Sequence, residues 1–227
     1  MQTENTRTHL LIALPRLFCF KAIFDKTIES VLDGLGDADI SLVSDNAGKA
    51  RQLLESKGLT PHEVKISTKL DAKSALKKYS HVLVFWDGEE LTDIVYYAKY
   101  FNKPIRIVPV QITKVRNKDH DETFDVYIGR KTPWGNPFPI EHDAHGDKRK
   151  DVIEKFKVYF QEEFVNKPDN LKHLLTLRGM RLGCHCKPLP CHGDVIADFI
   201  NNYFDSAEQL DQIGESQTNK SKISETV

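Results

Sequence analysis

The first half of the chain alternates short apolar runs with segments whose apolar residues recur at helical spacing. The strand-like runs lie at 9–14, 40–44, 62–67, 81–86 and 104–112. The helical segments between them lie at 24–36, 46–58, 70–79 and 90–102. In the first helical segment Ile28, Val31 and Leu32 share one face, and Gly36 provides a stop signal. The pattern predicts five strands joined by four helices.

Strands that are apolar on both faces are typical of a parallel sheet covered by helices. With right-handed crossovers, the alternation predicts a doubly wound, Rossmann-like five-stranded α/β domain over residues 1–113. Such sheets bind ligands beyond the carboxyl ends of their strands. We therefore expect a ligand site of this domain in the loops that follow Leu14, Ser44 and Trp86.

The alternation ends near residue 115, where the polar stretch 117–123 predicts a linker or a hairpin tip. Beyond it the pattern predicts a smaller α+β domain over 114–205. Its predicted strands lie at 125–130 and 181–186, and its predicted helices lie at 147–164, 170–179 and 191–204. The polar composition from residue 206 to 227 predicts a disordered tail.

Composition narrows the classes of protein and partner. The 227 residues are 40% hydrophobic and 29% charged, and no apolar run approaches the roughly 18 residues of a membrane span. The first residues do not resemble a signal peptide, and the cysteine spacing does not resemble a disulfide framework, which predicts a cytoplasmic protein without a membrane partner. The net charge of −1 favours a nucleotide-like small molecule over nucleic acid, which would need a local basic patch.

The stretch HVLVFWDGEELTDIVYYAKYFNKPIRIV at 81–108 has a strand, a W-D-G turn, a helix with a threonine and a closing K-P-x-x-V strand. On these features, residues 9–112 resemble the YspA-like branch of the SLOG superfamily. The resemblance implies a domain that binds or cleaves nucleotide-derived ligands, with Arg16 at a ligand-binding position. Asp87 would hold a ribose hydroxyl or act as a base, or it would only cap the turn.

Two departures from the SLOG pattern affect its phosphate-binding loops. The family's G-S-R is L-P-R here, and Asp45-Asn46 replaces a Gly-Gly pair before the second helix. Glycines there let backbone N–H groups approach a phosphate, whereas Asp45 places a negative charge at that position. Either the ligand differs or the domain is a scaffold.

The segments VYIGRKTPWGNPF, RKDVIEKF and LRGMRLGCHCKPLPCHGDVIADF resemble domain-of-unknown-function family 4326 of phage and bacterial proteins. The match covers nearly all of the second domain, and the family has no settled activity. Its departures are small: His185 stands where an aromatic residue is usual, and Phe156 where tyrosine is common.

The stretch at 181–195 allows three interpretations. Cys184, Cys186, Cys191 and His192 form a Cys₃His set that suits zinc, although the spacing lacks the usual C-x₂-C knuckle. Alternatively, His192 is an acid/base, Asp194 is its orienting group or a base, and Cys191 is a nucleophile at a helix N-terminus. In the third interpretation, the thiols of Cys184, Cys186 and Cys191 are small buried hydrophobic groups.

The WGNPF segment offers partners for that stretch. Trp134 would stack on a base, Asn136 would read a base edge, and Arg130 or Arg149 would hold a phosphate. Alternatively, Trp134 is a core anchor and the segment a tight turn.

Together these features predict an enzyme that hydrolyses or transfers at a glycosidic or phosphate bond of a nucleotide, nucleoside or base, with its chemistry in the second domain. In that hypothesis His192→Ala abolishes turnover and leaves the fold intact. The alternatives are a non-enzymatic nucleotide-sensing or partner-binding module with structural zinc, and a phage-type inhibitor of a host factor.

Overall fold

The computed structural model describes residues 7–46, 48–120, 123–140, 142–143 and 146–203, so the tail predicted at 206–227 lies outside it. The chain forms two compact units, which divide between Val110 and Gln111. In the described part of the chain, no helix has the length and apolar character needed to cross a bilayer.

The first unit is a parallel sheet of five strands in the order β3-β2-β1-β4-β5. Its strands are β1 (Thr8–Ala13), β2 (Ala38–Val43), β3 (His62–Glu63), β4 (His81–Trp86) and β5 (Ile105–Pro109). Its helices are α1 (Lys21–Leu35), α2 (Lys49–Ser56), α3 (Lys69–Ala75) and α4 (Thr92–Tyr100). This order confirms the predicted doubly wound sheet, whose direction of winding reverses between β1 and β4.

Local signals define several ends of these elements. Helix α1 ends before Gly36, whose positive φ of 67° suits glycine and whose N–H donates to Leu32 O at 2.9 Å. Helix α3 begins at a capping box in which Thr68 and Asp71 each bond the other's backbone N–H. Strand β3 is two residues long, shorter than the predicted run at 62–67, and its pairing with β2 ends with the bond from Val64 N–H to Leu42 O at 2.9 Å.

The second unit contains a three-stranded parallel sheet in the order β6-β10-β7 and a short hairpin of β8 and β9. Its strands are β6 (Lys114–Asn117), β7 (Val126–Tyr127), β8 (His142–Asp143), β9 (Gly146–Asp147) and β10 (Arg181–Cys184). Its helices are α5 (Arg149–Phe160), which continues as a π-helical turn (Gln161–Val165), α6 (Pro168–Leu175) and α7 (192–203). The hydrophobic pattern did not predict β6, because its four residues include three polar ones.

Strand β10 lies at the centre of this sheet and is fixed from both sides. Arg181 pairs with the Asp125 carboxylate at 2.7 Å, and its hydrogen bonds lower the pKa of Asp125 to about 2. Gly183 is required by close packing, since a Cβ there would lie 2.6 Å from the Phe124 ring. Buried Asn201 of α7 bonds both the N–H and the carbonyl oxygen of Thr113, so the last helix closes on the start of the unit.

Candidate metal centre

Three cysteine sulfur atoms converge where β10 meets the start of α7. The Sγ atoms of Cys184, Cys186 and Cys191 all lie within 4.8 Å of one another. Cys184 Sγ lies 3.3 Å from Cys191 Sγ and accepts the backbone N–H of Cys186 at 3.1 Å. Cys184 and Cys191 are buried, and Cys186 is half-buried, so the cluster is accessible on the side of Cys186.

The loop between β10 and α7 explains how an unusual spacing produces this cluster. Alternation along the extended chain places Cys184 and Cys186 on the same side. The chain then turns, with Leu189 N–H donating to Cys186 O at 2.9 Å, and the buried Asn117 side chain donates to Lys187 O. This turn returns Cys191 to the other two thiols, so the missing C-x₂-C knuckle is no obstacle to convergence.

Arg149, the first residue of α5, is the cation beside this cluster. Its guanidinium donates to Pro190 O at 3.4 Å and contacts the Cys186 sulfur. Hydrogen bonds from Cys184 and Cys191, followed by Arg149, lower the pKa of Cys186 to about 2. The hydrogen bond with Cys186 raises the pKa of Cys184, and hydrogen bonds with Cys184 and Cys186, followed by burial, raise the pKa of Cys191. The predicted phosphate-binding residue Arg149 is therefore placed against sulfur.

His192 lies outside the group formed by the three thiols. Its Nε2 is 2.8 Å from the carbonyl oxygen of Ile128, and its ring packs edge-on against Phe156. Burial lowers the pKa of His192, so the ring is neutral, and Nε2 carries the proton because a carbonyl oxygen only accepts. The imidazole thus connects the end of β7 to the start of α7.

Asp194 lies in the first turn of α7 and caps it. One carboxylate oxygen accepts the N–H of Cys191 at 2.9 Å, and the other pairs with Lys187. Both bonds hold the loop that carries the cysteines, so the carboxylate has a positioning role beside the cluster. The hydrophobic and turn pattern gave no signal for the pairing with Lys187.

The WGNPF segment forms the turn that its sequence predicts. The Asn136 side-chain oxygen accepts the N–H of Phe138 at 2.9 Å, and Arg130 is exposed on the turn after Gly129. Trp134 is half-buried and lies beside Phe164, with ring centroids 5.7 Å apart. The backbone just before Arg130 meets the α7 corner through the bond from His192 to Ile128 O, and Trp134 and Phe138 pack against the core cluster that includes Cys191.

Replacing Gly135 by alanine should destabilise the second unit by about 1–3 kcal/mol, because the added Cβ would lie 2.6 Å from Gly129 O. The matched change Gly129→Ala meets the end of the Tyr127 side chain, which can move, so we expect a smaller loss. Urea denaturation of both variants measures the difference. Equal losses would contradict the backbone contact at Gly135.

In the first unit the predicted ligand positions lie in the loops after β1 and β4. Arg16 is exposed, and its backbone N–H donates to the Glu90 carboxylate at 2.7 Å. Asp87 accepts the N–H groups of Glu89 and Glu90 at 3.0 and 2.9 Å, which is turn-capping geometry. The structure therefore brings the loops of Arg16 and Asp87 together through Glu90.

The N-terminus of α2 is already occupied by a carboxylate. The Asp45 oxygens accept the N–H groups of Ala50 and Arg51 at 3.3 and 2.8 Å. These N–H groups are the ones that would bind an anion at a helix N-terminus. A phosphate could bind there only by displacing Asp45.

We expect Asp45→Ala to destabilise the first unit by about 1 kcal/mol, because two N–H groups of α2 lose their acceptor. Asp45→Asn retains an acceptor oxygen and should lose less. Guanidinium denaturation of the two variants and the parent chain provides the measurement. A stability unchanged in Asp45→Ala would show that water replaces the carboxylate.

A hydrogen-bonded chain on the opposite side of β10 was not predicted. His185 Nδ1 lies 2.5 Å from an Asp119 oxygen, and its Nε2 lies 3.0 Å from the Tyr127 hydroxyl. Alternation along the strand gave the one available signal, since it directs His185 away from its two cysteine neighbours. His185 is therefore not a member of the sulfur cluster.

Comparison with known families assigns both units. The family model for the minimal SLOG domain matches residues 7–116, and that for the domain of unknown function DUF4326 matches residues 110–202. The chain therefore joins an N-terminal SLOG domain to a C-terminal DUF4326 domain. The SLOG and DUF4326 resemblances seen in the sequence are thereby confirmed, and SLOG domains are in general related to nucleotide-like ligands.

A phage protein is also similar to this SLOG–DUF4326 chain. The uncharacterized 12.4 kDa protein in the nrdA-td intergenic region of Enterobacteria phage T4 is 42% identical over 103 residues. The alignment spans 45% of the SLOG–DUF4326 chain and 91% of the phage protein. The phage-like character expected from the sequence is supported, whereas neither comparison provides an activity.

Proposed function

We propose that the chain is a zinc-dependent enzyme that hydrolyses a nucleotide, nucleoside or nucleobase, with its chemistry at Cys184, Cys186 and Cys191. The observation that carries this proposal is the convergence of three thiols within 4.8 Å beside an accessible side. Thiolates are the ligands that zinc favours among protein side chains. The relation of SLOG domains to nucleotide-like ligands supports the class of substrate.

The number of ligands favours catalysis over a purely structural role. Structural zinc sites have four protein ligands, whereas catalytic sites have three and keep one position open. Among the described residues, the group contains only the three cysteines. When bound there, zinc would act as a Lewis acid and activate water for attack on the substrate.

The chain's own residues would position the substrate. Arg149 lies against the half-buried sulfur of Cys186, on the accessible side of the cluster, so it can attract an anionic group of a substrate. Lys187 and Asp194 hold the loop that carries the sulfur atoms. His192 holds the corner between β7 and α7, so we assign it a positioning role and not an acid/base role.

A second candidate is a non-enzymatic module with a structural zinc ion. The burial of Cys184 and Cys191 favours it, as does the N–H···S bond from Cys186 to Cys184. In this case zinc would stabilise the corner between β10 and α7. Partner or nucleotide binding would then lie elsewhere on the chain.

Turnover by the zinc-loaded full chain separates the two candidates. Nucleotides, nucleosides and bases are incubated with the protein, and products are separated by liquid chromatography. We expect hydrolysis of at least one class, and a fall of at least about tenfold in Arg149→Met. The matched control is Lys150→Met, which removes an exposed neighbouring cation and should retain activity.

Two results would contradict the enzymatic proposal. Zinc bound without turnover of any class would favour the structural candidate. Equal loss of activity in Arg149→Met and Lys150→Met would remove the specific role of Arg149.

A further inference from the structure

A cavity of about 420 Å³ lies in the second unit between the WGNPF turn, the π-helical turn and α6. Its volume is within the range of small-molecule sites in proteins. The residues that line it and matter here are Trp134, Tyr159, Glu163, Phe164, Asn170 and His173.

Aromatic rings form its walls. The Trp134 and Phe164 rings lie 5.7 Å apart at an interplanar angle of 32°, and Tyr159 meets Phe164 edge-on at 6.1 Å. Trp134 and Tyr159 are half-buried, so both rings have surface left for a ligand. Aromatic walls of this kind bind flat, conjugated rings by stacking.

The π-helical turn shapes the cavity. Gln161–Val165 interrupts the regular helix, and Glu163 and Phe164 of this turn both line the cavity. Such π-turns occur frequently at functional sites, because they redirect side chains that an α-helix would place elsewhere. Here the turn places a carboxylate next to an aromatic wall.

The polar groups that line the cavity offer a ligand a hydrogen-bond acceptor and no cluster of cations. Among the described residues that line it there is one carboxylate, Glu163, and neither lysine nor arginine. One Glu163 oxygen accepts from Lys167 at 2.6 Å, which leaves the other oxygen for a donor on a ligand. The Asn170 side chain donates to the backbone carbonyl oxygen of Glu163 at 2.7 Å, which fixes the Asn170 amide at the cavity wall.

We infer that this cavity binds the base of a nucleoside that carries an exocyclic amino group, stacked on Trp134 with the amino group donating to Glu163. Carboxylates accept hydrogen bonds from such amino groups, as they do from cytosine in DNA recognition. The inference rests on the proposed function only for the choice of nucleosides among flat ring compounds. It adds a recognition site for the base, separate in sequence from the three cysteines.

Fluorescence of Trp134 can report binding directly. The chain has two tryptophans, so the full chain with Trp86→Phe keeps Trp134 as its one indole. Adenosine, guanosine, cytidine and uridine are titrated into this protein. We expect saturable quenching by at least one amino-bearing nucleoside, and at least about tenfold weaker binding of uridine, which lacks the amino group.

Glu163→Gln should remove this preference, because its amide can donate to a uridine carbonyl as well as accept. The matched control, Glu162→Gln, changes the exposed neighbour and should leave the affinities unchanged. Asn170→Ala provides a second variant, with circular dichroism to check folding, and should weaken binding. Absence of saturable quenching by all four nucleosides would overturn the inference, as would an unchanged preference in Glu163→Gln.

The outcome is independent of the metal-centre proposal. A chain that binds nucleosides without hydrolysing any compound would support the cavity and refute the enzyme. A chain that hydrolyses its substrate without nucleoside-dependent quenching would refute the cavity alone.

Discussion

Replacing Cys191 by serine should abolish zinc binding and destabilise the second unit. The parent chain should contain about one zinc ion, held by three sulfur atoms within 4.8 Å. Loss of one of three ligands removes most of the affinity, because serine is a far poorer zinc ligand than a thiolate. At free zinc 1,000 times its dissociation constant, the lost binding costs about 4 kcal/mol of stability.

Native mass spectrometry of the two proteins measures the zinc content, and thermal unfolding with and without a chelator measures the stability. The matched control is Cys19→Ser, which changes the half-buried cysteine of the first unit. It should keep one zinc ion per chain. A parent chain that purifies without metal and takes up none on addition of zinc would refute the metal centre.

Replacing His192 by alanine should destabilise the second unit by about 3 kcal/mol. The change leaves the carbonyl oxygen of Ile128 without its donor at 2.8 Å and removes the ring that packs on Phe156. An unsatisfied buried acceptor costs about 1–3 kcal/mol, and the lost packing adds to it. Urea denaturation followed by circular dichroism measures the loss.

The control variant, His192→Gln, carries a side-chain amide that can donate to Ile128 O, so it should recover part of the stability. This prediction differs from the acid/base hypothesis drawn from the sequence, in which His192→Ala abolishes turnover and leaves the fold intact. An alanine variant with parental stability and no turnover would support the acid/base role. The positioning role would be supported by a variant that is less stable than the parent chain but has the parental turnover rate at temperatures at which it is folded.

The sheet of the first unit could be predicted because its signal is local and repeated. The buried strands are rich in apolar residues, and stop residues such as Gly36 end the helices where the pattern ends. Strand β6 was not predictable in this way, because its pairing with β10 depends on residues far along the chain. Four residues that include Lys114, Arg116 and Asn117 carry no apolar signal of their own.

The cysteine corner shows which part of a site a sequence can reveal. Alternation predicted that Cys184 and Cys186 face one side, and the structure places their sulfur atoms in one cluster. The return of Cys191 depends on a turn fixed by Asn117 and Lys187, which spacing rules for zinc knuckles do not include. The position of His192 depends on the carbonyl oxygen of Ile128, just after β7 and 64 residues earlier.

The surroundings of Arg149 and of Trp134 could not be predicted from the sequence. The charge of Arg149 predicts a phosphate ligand, whereas its neighbour in the structure is a cysteine sulfur. Sequence gives the charge of such a residue but not the group it faces. The cavity beside Trp134 likewise depends on a π-helical turn, which the residue pattern does not predict.

The central position of β10 has a consequence for synthesis on the ribosome. Strands β6 and β7 pair with β10 and not with each other, and 67 residues separate Lys114 from its partner Arg181. At typical translation rates of 5–20 residues per second, β6 waits about 3–13 s for its neighbour. The first unit has all its strands by Pro109 and can fold during that interval. The nascent chain therefore acquires its two units in sequence, and the three thiols emerge only as the second is completed.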